Sequence, residues 1–272
     1  MSHQSRLVLI RHGESIYNEK NLFTGWGDKM DAFGLMHLFS VWVLTASGIV
    51  LRLDLADRYV YWEYTNWQDG FLRLVLSSIL FLFVLRPNSY WYPGVQKLEK
   101  EQIFQHGIIA LLFLMVGSIT KDVSMDLFIG LSPYFIAFFG GLLIYQLPLE
   151  FEKMNGEWIV ADWDQKVYHL SLSTILIFLS VGIGSWLDDP IISTAAMVST
   201  PFPFIAMFWP SHHRHLQRAR FYPIFILAMF LCVRMPWFLV PLAILFFLIR
   251  TVNYFRYGIV YPSFGVDFTE NN

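Results

Sequence analysis

The sequence predicts an all-α polytopic membrane protein of about eight transmembrane helices, with both ends of the chain on the inside, behind a short polar leader. Three observations predict it. First, 56% of the 272 residues are hydrophobic and only 15% are charged, against roughly 45–50% and about 25% in soluble domains; mean hydropathy is +0.48. Second, long apolar runs alternate with short polar links from about Phe33 onward. Third, lysines and arginines collect in alternate links. The composition leaves too little polar surface for a soluble domain and is too apolar for disorder. A net charge of −2 gives no bulk reason to bind nucleic acid. The one cysteine, Cys232, excludes an internal disulfide and a cysteine metal cluster.

The elements divide into a leader over 1–31, a transmembrane helical domain over 32–264 and a tail over 265–272. The leader holds Arg6, Arg11, Glu14, Glu19, Lys20, Asp28, Lys29 and Asp31, and its only early apolar run is LVLI, so no cleavable signal is expected. About 20 apolar residues are needed to cross a bilayer. Phe33–Leu51, Ile103–Thr120, Leu127–Leu147, Val167–Trp186 and Ile191–Trp209 each reach that length. Phe71–Leu85 is shorter, and Arg73 near its end is placed to snorkel to the headgroups. Phe221–Ile249 is too long for one span, and Arg234 followed by Pro236 divides it into two tightly linked short helices, tilted or partly re-entrant. Pro201 and Pro203 predict a kink or break within the sixth segment.

Orientation follows from counting cations in alternate links. With the leader inside, the inside carries Arg6, Arg11, Lys20, Lys29, Arg86, Lys97, Lys100, Lys153, Lys166, Arg214, Arg218, Arg220, Arg250 and Arg256. The outside carries Arg52, Arg58, Lys121 and Arg234. A ratio of 14 to 4 supports both the segment number and the orientation. Tyr59, Tyr61, Trp62, Tyr64 and Trp67 in the first outside link, and Tyr90, Trp91 and Tyr92 in the first inside link, are expected at headgroup level. The expected location is a bacterial inner (plasma) membrane, with the lipid bilayer as partner.

Residues 7–28 read LVLIRHGESIYNEKNLFTGWGD. A short strand, Leu7–Ile10, leads to a turn at Gly13, around which Arg11, His12, Ser15, Asn18, Thr24 and Gly25 could surround a phosphate. Arginine offers a planar fork to phosphate oxygens, and a neutral histidine nitrogen can attack phosphorus. The stretch resembles the opening of cofactor-dependent phosphoglycerate mutase, in the histidine phosphatase superfamily. The resemblance implies phosphotransfer through His12 as the phosphorylated catalytic residue, with Arg11, Ser15, Asn18, Thr24 and Gly25 as phosphate contacts. It also implies a soluble α/β domain supplying a second histidine, a further arginine and a glutamate proton donor, and no later part of this sequence offers them in pattern. Residues 1–29 therefore read as a fragment left by a fusion or an overlong start, with Met30 as an alternative initiator.

The membrane part offers several further readings. His37, His106 and His169 fall near inside helix starts, and His37 with His106 are the candidate ligands of a b-type haem in an electron carrier. The run Ser211–His215 and the following arginines form a basic inside link. Arg214, Arg218 and Arg220 are its candidate contacts to anionic headgroups or a diphosphate, and no metal site is expected. The placement of inside links 86–102 and 211–220, and the ending Tyr254–Phe264, weakly resemble UbiA-type membrane prenyltransferases over 33–264. That resemblance implies an isoprenoid or lipid substrate at the cytoplasmic face and Mg²⁺ as cofactor. The aspartate-rich motifs that would hold the metal are missing: link 86–102 has only Glu99 and Glu101, and 211–220 has no acid. A transporter remains the alternative. The Gly140–Gly141 and Gly182/Gly184 pairs are candidate sites of close helix contact.

Overall fold

Leu38–Arg52 (α1) is apolar on every side, and a helix of that kind belongs inside a bundle rather than on its surface. In the computed structural model, which describes residues 37–55, 66–85, 98–119, 124–147, 149–152, 157–160, 166–209 and 213–257, α1 is the buried centre. Val41, Val43, Ala46 and Ile49 have no exposed surface. Around it in chain order come α2 (Trp67–Ile79), running on as a π-helical segment Leu80–Leu85, α3 (Lys100–Ser118) and α4 (Met125–Leu143), which ends in a 3₁₀ turn Ile144–Gln146. Two strands follow, β1 (Leu149–Glu152) and β2 (Glu157–Val160), and then α5 (Lys166–Trp186), α6 (Pro190–Ser199), α7 (Pro201–Phe208) and α8 (His213–Arg234). A 3₁₀ turn Pro236–Phe238 joins α8 to α9 (Leu239–Tyr257).

The packing of α1 against α3 is set by two glycines. A Cβ built on Gly48 would lie 2.1 Å from the Leu114 carbonyl oxygen, and one on Gly117 would lie 2.0 Å from the Thr45 carbonyl oxygen. Only glycine at both positions lets the backbones meet. On its other side α1 meets α2 through polar pairs: Thr45 Oγ1 and Ser77 Oγ share a hydrogen bond of 2.8 Å, and Trp42 Nε1 donates to Ser78 Oγ at 2.8 Å. Thr45 and Ser47 also donate to the carbonyls of Val41 and Val43 in their own helix. Phe39 stacks on Phe225 of α8 at 4.6 Å and meets Phe246 of α9 at 5.3 Å. Trp237, in the turn between α8 and α9, lies so close to α2 that a Cβ on Gly70 would be 2.4 Å from its ring.

A second layer packs α4, α5, α6 and α7 against α8. Ser180 of α5 donates to the carbonyl of Pro133 at 2.8 Å. Pro133, inside α4, has no N–H for the Ile129 carbonyl four residues back, and Ser132 Oγ donates to that carbonyl at 2.6 Å instead. A smaller core of Ile144, Leu147, Leu170, Ala206, Leu216 and Ala219 closes one end of this layer.

Among the described residues, five stretches are long and apolar enough to cross a membrane by length and composition: Trp67–Leu85, Lys100–Ser118, Met125–Gln146, Lys166–Trp186 and Pro190–Phe208. Leu38–Arg52 and Pro236–Thr251 are shorter apolar helices. Every expected apolar segment thus has a helical counterpart, and the proline breaks fall where the sequence places them, at Thr200–Pro201 and between Arg234 and Pro236. Four expectations are corrected. The first concerns a link: the helical class holds, and the link between α4 and α5 contains a short antiparallel pair, β1 and β2, with Leu149 opposite Val160 and Glu152 opposite Glu157. The helices either side of Pro236 are not short, having 22 and 19 residues. The inside link 211–220 is a link only at its start, since α8 begins at His213. Finally, the expected glycine pairs divide: Cβ atoms on Gly140 and Gly184 would come within 3.1 Å and 2.9 Å of neighbours, whereas Gly141 and Gly182 face open space.

The leader with Arg11, His12, Ser15, Asn18, Thr24 and Gly25, the aromatic links at 59–64 and 90–92, residues 211–212, and the tail 265–272 lie outside the described residues.

Alanine at Gly48 or Gly117 is expected to cost about 1–3 kcal/mol through backbone overlap, read as an earlier thermal transition in detergent. Alanine at Gly141 or Gly182 should not lower that transition and should raise it by up to about 1 kcal/mol, because an added methyl meets nothing and alanine favours the helix.

Candidate functional site: the polar ends of the bundle

Charged and polar side chains gather at the two ends of the helices, where backbone carbonyls and amides lack intrahelical partners. At one end the 3₁₀ turn that ends α4, Leu98 just ahead of α3 and the first turns of α8 converge. Leu98 N donates to the Tyr145 carbonyl at 2.9 Å, and the Gln146 side-chain amide donates back to the Leu98 carbonyl. Arg220, only 5% exposed, donates through Nη2 to the Leu147 carbonyl and lies over the Tyr145 ring, 4.6 Å from its centroid. Tyr145 also meets Phe221 edge-on at 6.5 Å. A guanidinium keeps its charge when buried, so these contacts hold it between an aromatic face and a carbonyl oxygen.

The candidate headgroup contacts therefore do not act alike. Arg220 is engaged inside the protein, Arg218 is exposed, and Arg214 lies in the first turn of α8. Residues 218 and 220 differ by about 200° around a helix axis, so one faces the core when the other faces out. Glu99, one of the two acids of link 86–102, closes a capping box at the start of α3, with its N–H donating to Gln102 Oε1 at 2.8 Å.

The candidate haem histidines lie at the same end. His37 precedes α1, and His106, 2% exposed, sits in the second turn of α3 with Nδ1 hydrogen-bonded to the Gln102 carbonyl. The two rings are close enough to interact electrostatically. His169 lies in the first turn of α5 beside Tyr168. Among the described residues no three histidine, cysteine or acidic side chains come together as a metal site.

The opposite end holds two clusters that the sequence reading missed. Asp69, in the first turn of α2, accepts from Arg73 Nε at 3.0 Å and from Arg52 Nη2, both on Oδ2. Arg73 Nη1 also donates to the Val116 carbonyl at 2.7 Å, near the end of α3. Arg73 thus ties α2 to α3 instead of snorkelling freely. The i,i+4 spacing of Asp69 and Arg73 was a readable signal; the approach of Arg52 was not, since it depends on the packing of α1. The second cluster is centred on Asp189, which is 4% exposed. Its Oδ1 accepts from the Ile191 and Ile192 amides at the start of α6, and its Oδ2 accepts from Tyr134 Oη at 2.7 Å. An aspartate directly before Pro190 is an N-cap signature; its tyrosine partner 55 residues away is not visible locally.

Comparison with known proteins adds a local finding. The chain is 67% identical over 30 residues to "Phosphoglycerate mutase 1" of Saccharomyces cerevisiae, covering 11% of this chain and 12% of that protein. It is 73% identical over 22 residues to the 2,3-bisphosphoglycerate-dependent phosphoglycerate mutase of Chlamydia felis, covering 8% and 10%. It is 74% identical over 23 residues to a phosphoglycerate mutase of Candida albicans, covering 8% and 9%. The chain spans about a tenth of the length of these relatives. The similarity supports a short histidine-phosphatase-like fragment and does not extend to the helices. No family profile matches the chain, and no solved structure matches it.

Two outcomes follow for the polar ends. Asp189→Ala removes a helix cap and leaves the buried Tyr134 hydroxyl unpaired, and should cost about 2–4 kcal/mol, whereas Tyr134→Phe should cost about 1 kcal/mol. Arg220→Gln should lower the thermal transition in detergent by an amount corresponding to about 2 kcal/mol, while Arg218→Gln leaves it in place.

Proposed function

We propose that this chain is an integral, multi-pass membrane protein with eight bilayer segments, N-in and C-in, whose helical part meets a lipid or isoprenoid substrate at its inside end. The observation that carries the bilayer reading is the outer surface of the long apolar helices. Phe71, Leu72 and Leu76 of α2, Phe83 of the π-helical segment that continues it, Ile175 and Phe178 of α5, and Val240, Ile244 and Phe247 of α9 are all exposed. In water such faces would form apolar patches far larger than soluble monomers carry; in hydrocarbon they are the expected surface. The cation asymmetry between alternate links supports the orientation. For the substrate, support comes from Arg218, exposed at the start of α8 beside the anchored Arg220. Because Glu99 caps α3, Mg²⁺ binding in the manner of UbiA-type enzymes would have to draw on other acids.

A second reading, phosphotransfer through His12, is favoured by the short mutase matches. It requires a second histidine, a further arginine and a glutamate beside His12. It predicts mutase turnover by the purified chain that is lost on His12→Ala; the bilayer reading predicts no turnover.

The topology is testable with single cysteines in a Cys232→Ser background, using a membrane-impermeant thiol reagent on oriented membranes. Met125→Cys and Trp186→Cys should label from the outside. Glu101→Cys and Arg218→Cys should label only once the inside is opened. Labelling of all four from one side would end the eight-segment arrangement.

A further inference from the structure

The Arg52–Asp69–Arg73 cluster binds α1, α2 and α3 together, yet among the described residues its charges do not balance. Two guanidinium groups converge on a single carboxylate oxygen, Asp69 Oδ2, and the two arginines are near enough to repel each other. Their side chains are only 15% and 19% exposed, whereas Asp69 is 45% exposed, so the cluster opens outward past the carboxylate. Asp54, two residues beyond Arg52, lies on an exposed turn and pairs with neither arginine. Two half-enclosed guanidinium groups that share one carboxylate oxygen keep an excess of positive charge among the described residues, and a phosphate can accept from two such forks at once.

The surroundings decide which phosphate. Phe71, Leu72, Val75, Leu76 and Ile79, on the same helix as Arg73, are exposed and apolar. In the orientation argued above, on which this inference rests, they run from the outer headgroup level into the hydrocarbon. A free phosphate has no use for that surface; a phospholipid places its phosphate at the arginines and its acyl chains along α2. We propose that Arg52 and Arg73 hold the phosphate of an anionic phospholipid at the outer end of α2, with Asp69 offsetting part of their charge.

The test uses the full chain in nanodiscs of phosphatidylcholine, alone or mixed with phosphatidylglycerol, with retained lipid read by native mass spectrometry. Phosphatidylglycerol should be enriched on the protein. Arg52→Gln/Arg73→Gln should reduce that enrichment about thirtyfold, as expected for the loss of two cations near the membrane surface. Asp69→Asn removes the carboxylate but leaves both cations, and should keep or raise the enrichment. No enrichment on the unaltered protein, or full enrichment on the double variant, would overturn the proposal. Loss in Asp69→Asn equal to that in the double variant would identify the cluster as a structural clasp only. Equal thermal stabilisation of the detergent-solubilised protein by inorganic phosphate would identify a free anion as the occupant instead. Failure to enter either nanodisc would count against the bilayer reading itself, a result distinct from entry without lipid preference.

Discussion

The backbone contact between α1 and α3 is the constraint from which the bundle is built. Gly48 and Gly117 meet each other's helices so closely that no side chain fits at either position. That contact brings a 15-residue helix into the middle of longer ones. Once there, α1 is enclosed by α2, α3, α4, α8 and α9, and its hydroxyls have to find partners inside the protein. Thr45 and Ser47 do so by donating back to their own helix, and Thr45 also meets Ser77 across to α2. In the bilayer proposed for the chain, apolar helices gain little hydrophobic energy from association, so close van der Waals contact and a few hydrogen bonds would supply the order.

The ends of the bundle follow a common rule. Several of the buried or half-buried polar side chains there reach a backbone group near a helix terminus or in a link. Arg73 reaches the Val116 carbonyl, Arg220 the Leu147 carbonyl, Gln146 the Leu98 carbonyl, and Asp189 the first amides of α6. Unmatched peptide groups are costly where water is scarce. Charges placed in this way serve structure first. That is why Arg220, read from the sequence as a headgroup contact, lies against Tyr145, while Arg218 keeps the exposed position.

Much of this was legible locally. Apolar run length located the helices, because helix formation and burial of such runs need no knowledge of neighbours. Pro201 and Pro236 located the breaks, because a missing N–H acts within its own helix. The hairpin was legible in principle, since Asn155–Gly156 is a turn signal between two short runs. The mutase-like stretch was legible as a motif, and the similarity found with known mutases is equally short. The Tyr134–Asp189 bond, the Arg52–Asp69 approach and the Gly48–Gly117 contact were not legible. Each joins residues on separate helices through rotations about the helix axes that no local pattern fixes.

By itself the sequence determined the helical, apolar class of the chain and the places where its helices stop, because composition and proline act over one or two turns. Only the tertiary structure decided which glycines carry a contact and which face space, and which arginine of the α8 start is anchored. It also decided that two arginines share one aspartate at the far end. Those outcomes depend on the angle and depth at which each helix meets its neighbours, and that geometry is set by packing across the whole bundle.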